Sequence, residues 1–281
     1  MHLLILLALV LHVPANVDAQ PARVQNRLHE ESVQSAALAK AMKYRVLVPE
    51  DYDRSQRRYP VLYLLHGLGG DYTDWTTRSN VAEYSRTLPL IIVMPDGHNA
   101  WYTNSNEGAY ETYLLTDLPA DVVKKYRTIN SRYGRAVAGL SMGGYGALKM
   151  ALKRPAMFVV AGSFSGAFAA TRHGELEKLI SKPEVERLAR IFGPADSATR
   201  QENDLFALAA SVKPGGAPYL YLDCGTADNT LIDANREVVA ALHKSGAAYE
   251  YHEVAGAHSW DYWDRRIREF LPVLMRRLAN N

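Results

Sequence analysis

Gly139-Leu140-Ser141-Met142-Gly143 places a serine in the pattern G-x-S-x-G. A serine hydroxyl attacks a carbonyl only when a base removes its proton and an acid orients that base. With glycine and serine each near ~7% of residues, the pattern arises by chance in about one chain in ten of this length, so its setting has to supply the meaning. The apolar stretch Ala136-Val137-Ala138 runs into it, and the helix-forming stretch Tyr145 to Lys153 leaves it. A strand–turn–helix of this kind holds its serine in a strained backbone conformation, with glycines on either side to avoid collision. The helix start also aims N–H groups at a developing oxyanion. A glycine-rich phosphate or packing turn is the plainer alternative.

In such elbows the acid and then the base follow the serine along the chain. Of nine histidines, His173, His243, His252 and His258 lie beyond Ser141. His173 falls in charged sequence, His243 on a helix with a polar side, and His252 within a strand. His258 sits in Ala255-Gly256-Ala257-His258-Ser259-Trp260, just past a strand, where the base is required. For the acid, Tyr219-Leu220-Tyr221-Leu222-Asp223 leads into Cys224-Gly225-Thr226-Ala227-Asp228-Asn229. Asp228 lies in the loop and is the better placed; Asp223, still at the strand end, is the second choice. Asp228 could also cap the following helix.

A second oxyanion donor is expected from Leu64-Leu65-His66-Gly67-Leu68-Gly69-Gly70, where the backbone N–H of Leu68 would pair with that of Met142. His66 reads as a structural anchor of that loop. No His-Glu-x-x-His, cysteine pair or acidic cluster with ligand spacing suggests a metal, and Gly67 to Gly70 lacks both the dinucleotide spacing and the P-loop lysine.

These residues need a scaffold. Short apolar runs at Pro60 to Leu65 and Leu88 to Met94 suit strands covered on both faces. Further strands are expected at Tyr44 to Val48, Arg135 to Leu140, Phe158 to Ser163, Tyr219 to Asp223 and Tyr249 to Val254. Between them fall helices at Thr116 to Tyr126, Met142 to Lys153, Leu231 to Lys244 and Trp260 to Leu278, where Pro272 could introduce a kink. The alternation predicts an α/β domain with a mostly parallel sheet. The span of about 167–213 breaks the rhythm: it is helical and charged with no strand, as expected of an insertion over one end of the sheet.

The 281 residues carry 48% hydrophobic and 22% charged residues, enough for one large core, and the net charge is +2. Basic residues form only short pairs such as Arg57-Arg58, which argues against nucleic-acid binding. Leu3 to Val13 is an apolar run too short to span a bilayer of ~30 Å, and Val17 and Ala19 precede a plausible cleavage point before Gln20. Residues 1–19 therefore read as a signal peptide and 20–281 as one catalytic domain, secreted or periplasmic, with an uncleaved anchor as the other reading. The single cysteine, Cys224, is expected buried in a strand.

Taken together, Leu65-His66-Gly67-Leu68-Gly69-Gly70, Pro95-Asp96-Gly97, Trp101-Tyr102-Thr103-Asn104, Tyr110-Glu111-Thr112-Tyr113, the Ser141 motif and Cys224-Gly225-Thr226-Ala227-Asp228 resemble the esterase D-like branch of the α/β-hydrolases. That branch includes S-formylglutathione hydrolases, tributyrin esterases, feruloyl esterases and mycobacterial mycolyltransferases. The resemblance spans about Ala37 to Leu278. It implies Ser141, Asp228 and His258 as a triad, Leu68 and Met142 as oxyanion donors, and no metal or cofactor. The expected activity is that of a serine carboxylesterase acting on short acyl or aryl esters of small molecules through an acyl-serine intermediate. Exported feruloyl or acetyl-xylan esterases are an alternative, and an acyltransferase or a non-catalytic binding module is an alternative of another class. Trp75, Trp101, Tyr102 and Trp260 lie near the expected mouth, to grip an aromatic acyl group or simply to fill the core.

Overall fold

The computed structural model describes residues 26–172, 174 and 180–279. The expected signal peptide with its expected cleavage point, and His173, lie outside the described residues.

Eight strands form one sheet: β1 (Leu28–Ser35), β2 (Lys40–Leu47), β3 (Val61–Leu65), β4 (Ile91–Pro95), β7 (Arg135–Leu140), β8 (Val160–Phe164), β9 (Tyr219–Gly225) and β10 (Tyr249–Val254). A short separate hairpin joins β5 (Asn104–Ser105) to β6 (Gly108–Ala109). The sheet order is β1-β2-β4-β3-β7-β8-β9-β10. Both pairings of β2 are antiparallel, and β4 through β10 run parallel in the sheet. Every residue of β3, β4 and β8 is buried, which is why β3 and β4 read as uninterrupted apolar runs.

Alternate side chains of one strand enter opposite layers. Val61, Tyr63 and Leu65 join the layer that holds the helix Met142–Lys153, while Leu62 and Leu64 join the layer closed by the helix Trp260–Ala279. Pro272 lies within that last helix, which continues past it. β1 has no counterpart in the sequence reading. It is a sheet-edge strand whose residues are mostly polar and partly exposed, so it carries little hydrophobic period.

The connection from β8 to β9 contains a 3-10 turn (Phe168–Thr171) and helices Lys182–Phe192, Ala198–Glu202 and Leu205–Ala210. The amphipathic Lys182–Phe192 helix buries Leu188, Ile191 and Phe192. Before β7, the helical stretch from Tyr110 to Lys125 includes a π turn at Tyr113–Asp117 directly ahead of Pro119, whose ring nitrogen cannot donate to the preceding turn.

Candidate active site

Ser141 stands between β7 and the helix Met142–Lys153 with φ 53° and ψ −118°. This left-handed backbone is costly for a residue with a Cβ, by ~1–3 kcal/mol. Its amide donates to Phe164 O at 3.0 Å, and its carbonyl accepts from Ala167 N and Tyr145 N, each at 3.0 Å. The turn is tight enough to exclude larger residues around it. A Cβ on Gly139 would lie 2.5 Å from the Gly143 carbonyl carbon, and one on Gly143 would lie 2.5 Å from His66 O. The glycine spacing thus has a steric cause on both sides of the serine.

His258 Nε2 lies 3.0 Å from Ser141 Oγ, and His258 Nδ1 lies 2.7 Å from Asp228 Oδ2. A carboxylate only accepts, so Nδ1–H donates to Asp228 and Nε2 accepts from the serine hydroxyl. The loops that carry the two partners are joined by backbone bonds. Thr226 N donates to Val254 O at 2.9 Å and Ala227 N to Gly256 O at 2.9 Å. A Cβ on Gly225 would sit 2.3 Å from Gly256 O. Asp228 is buried, and the side chain of His258 is 36% exposed, so the imidazole faces the cleft while its orienting acid is shielded from water.

Asp223 is turned elsewhere. Its Oδ1 accepts from Tyr262 Oη at 2.7 Å and its Oδ2 from Arg266 Nε at 3.0 Å. Nor does the Asp228 side chain cap the next helix. Leu231 occupies the cap position with no side-chain bond, and the Asp228 backbone carbonyl accepts from Leu231 N and Ile232 N instead.

Leu68 follows directly on Gly67, whose position would put a Cβ 3.5 Å from Ser141 Cβ, so this loop passes beside the nucleophile. Among the described residues the Leu68 amide has no acceptor. Met142 is the first residue of its helix, so its N–H has no carbonyl partner within that helix. His66 anchors the loop: Gly97 N donates to its Nε2 at 2.9 Å, and its Nδ1 lies 2.8 Å from Gly67 O.

A cavity of about 680 Å³ opens over Ser141 and His258. Trp101 and Trp260 line it; Trp75 and Tyr102 do not. Of the two readings the sequence left open for these last two, gripping an acyl group or filling the core, their burial and hydrogen bonds match the second. Trp75 is buried with its indole N–H on Leu65 O at 3.0 Å, and Tyr102 is buried with its hydroxyl on His66 O at 2.7 Å. Trp263, Leu231 and Ile180 also face the cavity and were not singled out from sequence. Trp263 packs edge-on to the His258 ring, with centroids 4.8 Å apart. Its position five residues beyond the base, on the first turns of a helix, was the available signal. Cys224 is buried in β9, and burial pushes its thiol up to about 12. Among the described residues no group of three or more His, Cys, Asp or Glu side chains is placed to hold a metal ion.

The fold and the Ser–His–Asp arrangement are those of an α/β-hydrolase. The chain belongs to the esterase family, whose model, described as "Putative esterase", matches residues 35–274. It is 30% identical over 229 residues to an acetyl esterase of Caldicellulosiruptor saccharolyticus, covering 76% of this chain and 83% of that protein. It is 32% identical over 257 residues to an esterase of Mycobacterium tuberculosis, covering 83% of this chain but only 56% of that longer protein. Among solved structures, a ferulic acid esterase matches with a TM-score of 0.77 at 26% identity, covering 89% of this chain and 97% of that one. The protein is an ester hydrolase with a mostly parallel eight-stranded sheet.

Proposed function

We propose that Ser141, His258 and Asp228 hydrolyse short-chain acyl or aryl esters through an acyl-serine intermediate. The observation that carries this reading is the single imidazole bonded to Ser141 Oγ on one side and to the buried Asp228 carboxylate on the other. Ser141 Oγ attacks the ester carbonyl while its proton passes to His258 Nε2. The tetrahedral oxyanion is met by the amides of Leu68 and Met142. As the carbon–oxygen bond to the alcohol breaks, His258 returns the proton to the leaving oxygen. Water, deprotonated by the same nitrogen, then cleaves the acyl-serine and releases the acid. Asp228 holds the imidazole in the required tautomer throughout. Leu140, Ala167, Ile180 and Leu231 give the cavity an apolar wall, and Trp260 and Trp263 offer aromatic surface, which supports small acyl or aryl groups as substrates.

A fluorophosphonate probe is expected to label Ser141, and Ser141→Ala to lose both the label and turnover of p-nitrophenyl acetate. A label on any other residue of the folded protein, or turnover retained by Ser141→Ala, would overturn the assignment. p-Nitrophenyl esters of increasing chain length, run beside methyl ferulate and S-formylglutathione, define the acyl preference; faster turnover of long-chain than of short-chain esters would refute the proposed substrate class.

A further inference from the structure

Resting on that reading, the geometry points to Tyr102 and Lys149 as positioning residues that hold the oxyanion loop in register with Ser141. Tyr102 was expected to grip substrate or to fill the core, and its ring lies in a slot floored by two glycines away from the cavity. A Cβ on Gly97 would lie 2.2 Å from Tyr102 Cε1, and one on Gly146 would lie 2.5 Å from Tyr102 Cδ2. From that slot the phenol donates to His66 O at 2.7 Å, the carbonyl on which Gly143 also packs. His66 O belongs to the peptide between His66 and Gly67, so this bond fixes the peptide unit next to the one that carries the Leu68 N–H.

The backbone that delivers Tyr102 is strained. Trp101 and Tyr102 both have φ 52°, a left-handed conformation at two successive non-glycine residues. Such a conformation persists only where its surroundings over-determine it. Lys149 supplies that restraint from the helix that starts at Ser141. Its ammonium group, fully buried, donates to Tyr102 O at 2.8 Å and Thr103 Oγ1 at 2.7 Å, and pairs with Glu111 Oε2 at 2.9 Å. Lys153, one turn later, pairs with Glu111 Oε1 at 2.9 Å. One helix therefore presents the Met142 amide at its first residue and, two turns on, clamps the strap that holds the loop of Leu68. The two oxyanion donors, which come from distant parts of the chain, are locked to one rigid element. The hydrogen bonds and ion pair of this buried ammonium go to the strap and to Glu111, and it also lies 5.7 Å from the centroid of the Tyr145 ring.

Tyr102→Phe removes one bond and leaves the ring in its slot. It is expected to lower kcat on p-nitrophenyl acetate about tenfold with little change in KM, because a loosened donor affects the transition state more than the bound ester. The inhibition constant of a trifluoromethyl ketone, which forms the tetrahedral adduct, should rise by a similar factor. Lys149→Met should show the same pattern more strongly, about 10²-fold in kcat, as small misplacements of catalytic groups do. Since that variant leaves the buried Glu111 paired with Lys153 alone, Lys149→Met with Glu111→Leu is the companion in case the single variant does not fold. Hydrogen exchange over residues 66–70 provides a readout that needs no turnover and should quicken in Tyr102→Phe. If kcat, the ketone constant and exchange all stay within twofold of the parent while only thermal stability falls, Tyr102 is a packing residue and the inference is wrong. Absence of Ser141-dependent turnover in the parent would instead refute the proposed function, and exchange would still decide whether Tyr102 tethers the loop.

Discussion

Asp223 and Asp228 stand close together at the end of one strand, both buried, and their partners divide their roles. Asp228 accepts from His258 Nδ1 at 2.7 Å, whereas Asp223 is held by Tyr262 and Arg266. Sequence order favoured Asp228 because a loop residue can reach across to a neighbouring loop while a strand residue is committed to its sheet face. Asp228→Asn keeps the shape but no longer holds the imidazole in its working tautomer, and kcat is expected to fall by ~10⁴-fold. The measurement is p-nitrophenyl acetate turnover beside a thermal melt. A loss under tenfold at full folding would remove Asp228 from the triad. The aromatic residues were less legible. Trp75, Trp101 and Tyr102 are as large and as close to the motifs as Trp260, and only the folded structure shows that all three are buried, Trp75 and Tyr102 with hydrogen bonds to Leu65 O and His66 O.

At the scale of elements, β7 and the elbow helix have the bounds expected from sequence, Arg135–Leu140 and Met142–Lys153, because the period changes sharply at Ser141. The strap from Trp101 to Thr103 is different. Its conformation depends on a buried ion cluster contributed by two other helical segments, centred on Glu111, Lys149 and Lys153. Burial works to raise the Glu111 carboxyl, but Lys149 and Lys153 outweigh it and hold the group below the usual carboxylate range. A carboxylate with a lowered folded-state pKa adds stability that is full above its unfolded value and is lost as pH falls through the folded value. Glu111→Gln should therefore cost ~3 kcal/mol at neutral pH by leaving a buried ammonium unpaired. Its penalty should shrink in acid, where the parent's carboxyl also becomes neutral. Urea melts at neutral and acidic pH check both parts; equal penalties at the two would contradict the assigned charge state.

At the scale of the whole molecule, the C-terminal helix closes the domain and completes the site together. Its first turns bring Trp260 and Trp263 to the cavity, and Arg266 then crosses to Asp223 on the sheet, with Tyr262 donating to the same carboxylate. Both charged groups are buried, so removing one strands the other. Arg266→Leu is expected to destabilise the protein by ~4 kcal/mol, while Asp223→Leu combined with Arg266→Leu should recover much of that loss. Denaturant midpoints of the two variants decide it. A double variant as unstable as the single would show that shape, not charge, dominates this contact.

The sequence by itself determined the class of the molecule and the order of its chemistry. Strand and helix periods, glycines around a serine, and the acid and base loops are local signals, each written within a few residues of the chain. Tertiary structure decided what depends on contacts distant in the chain. It set which aspartate meets His258, which aromatic side chains face the cavity, and which loop carbonyl Tyr102 holds. It also showed β1, whose polar residues form a strand only because β2 pairs with them along the sheet edge. The physical reason is the same in each case. A side chain's type and spacing restrict what it can do, but the hydrogen bond or burial that selects one role is made with a partner that only the folded chain brings within reach.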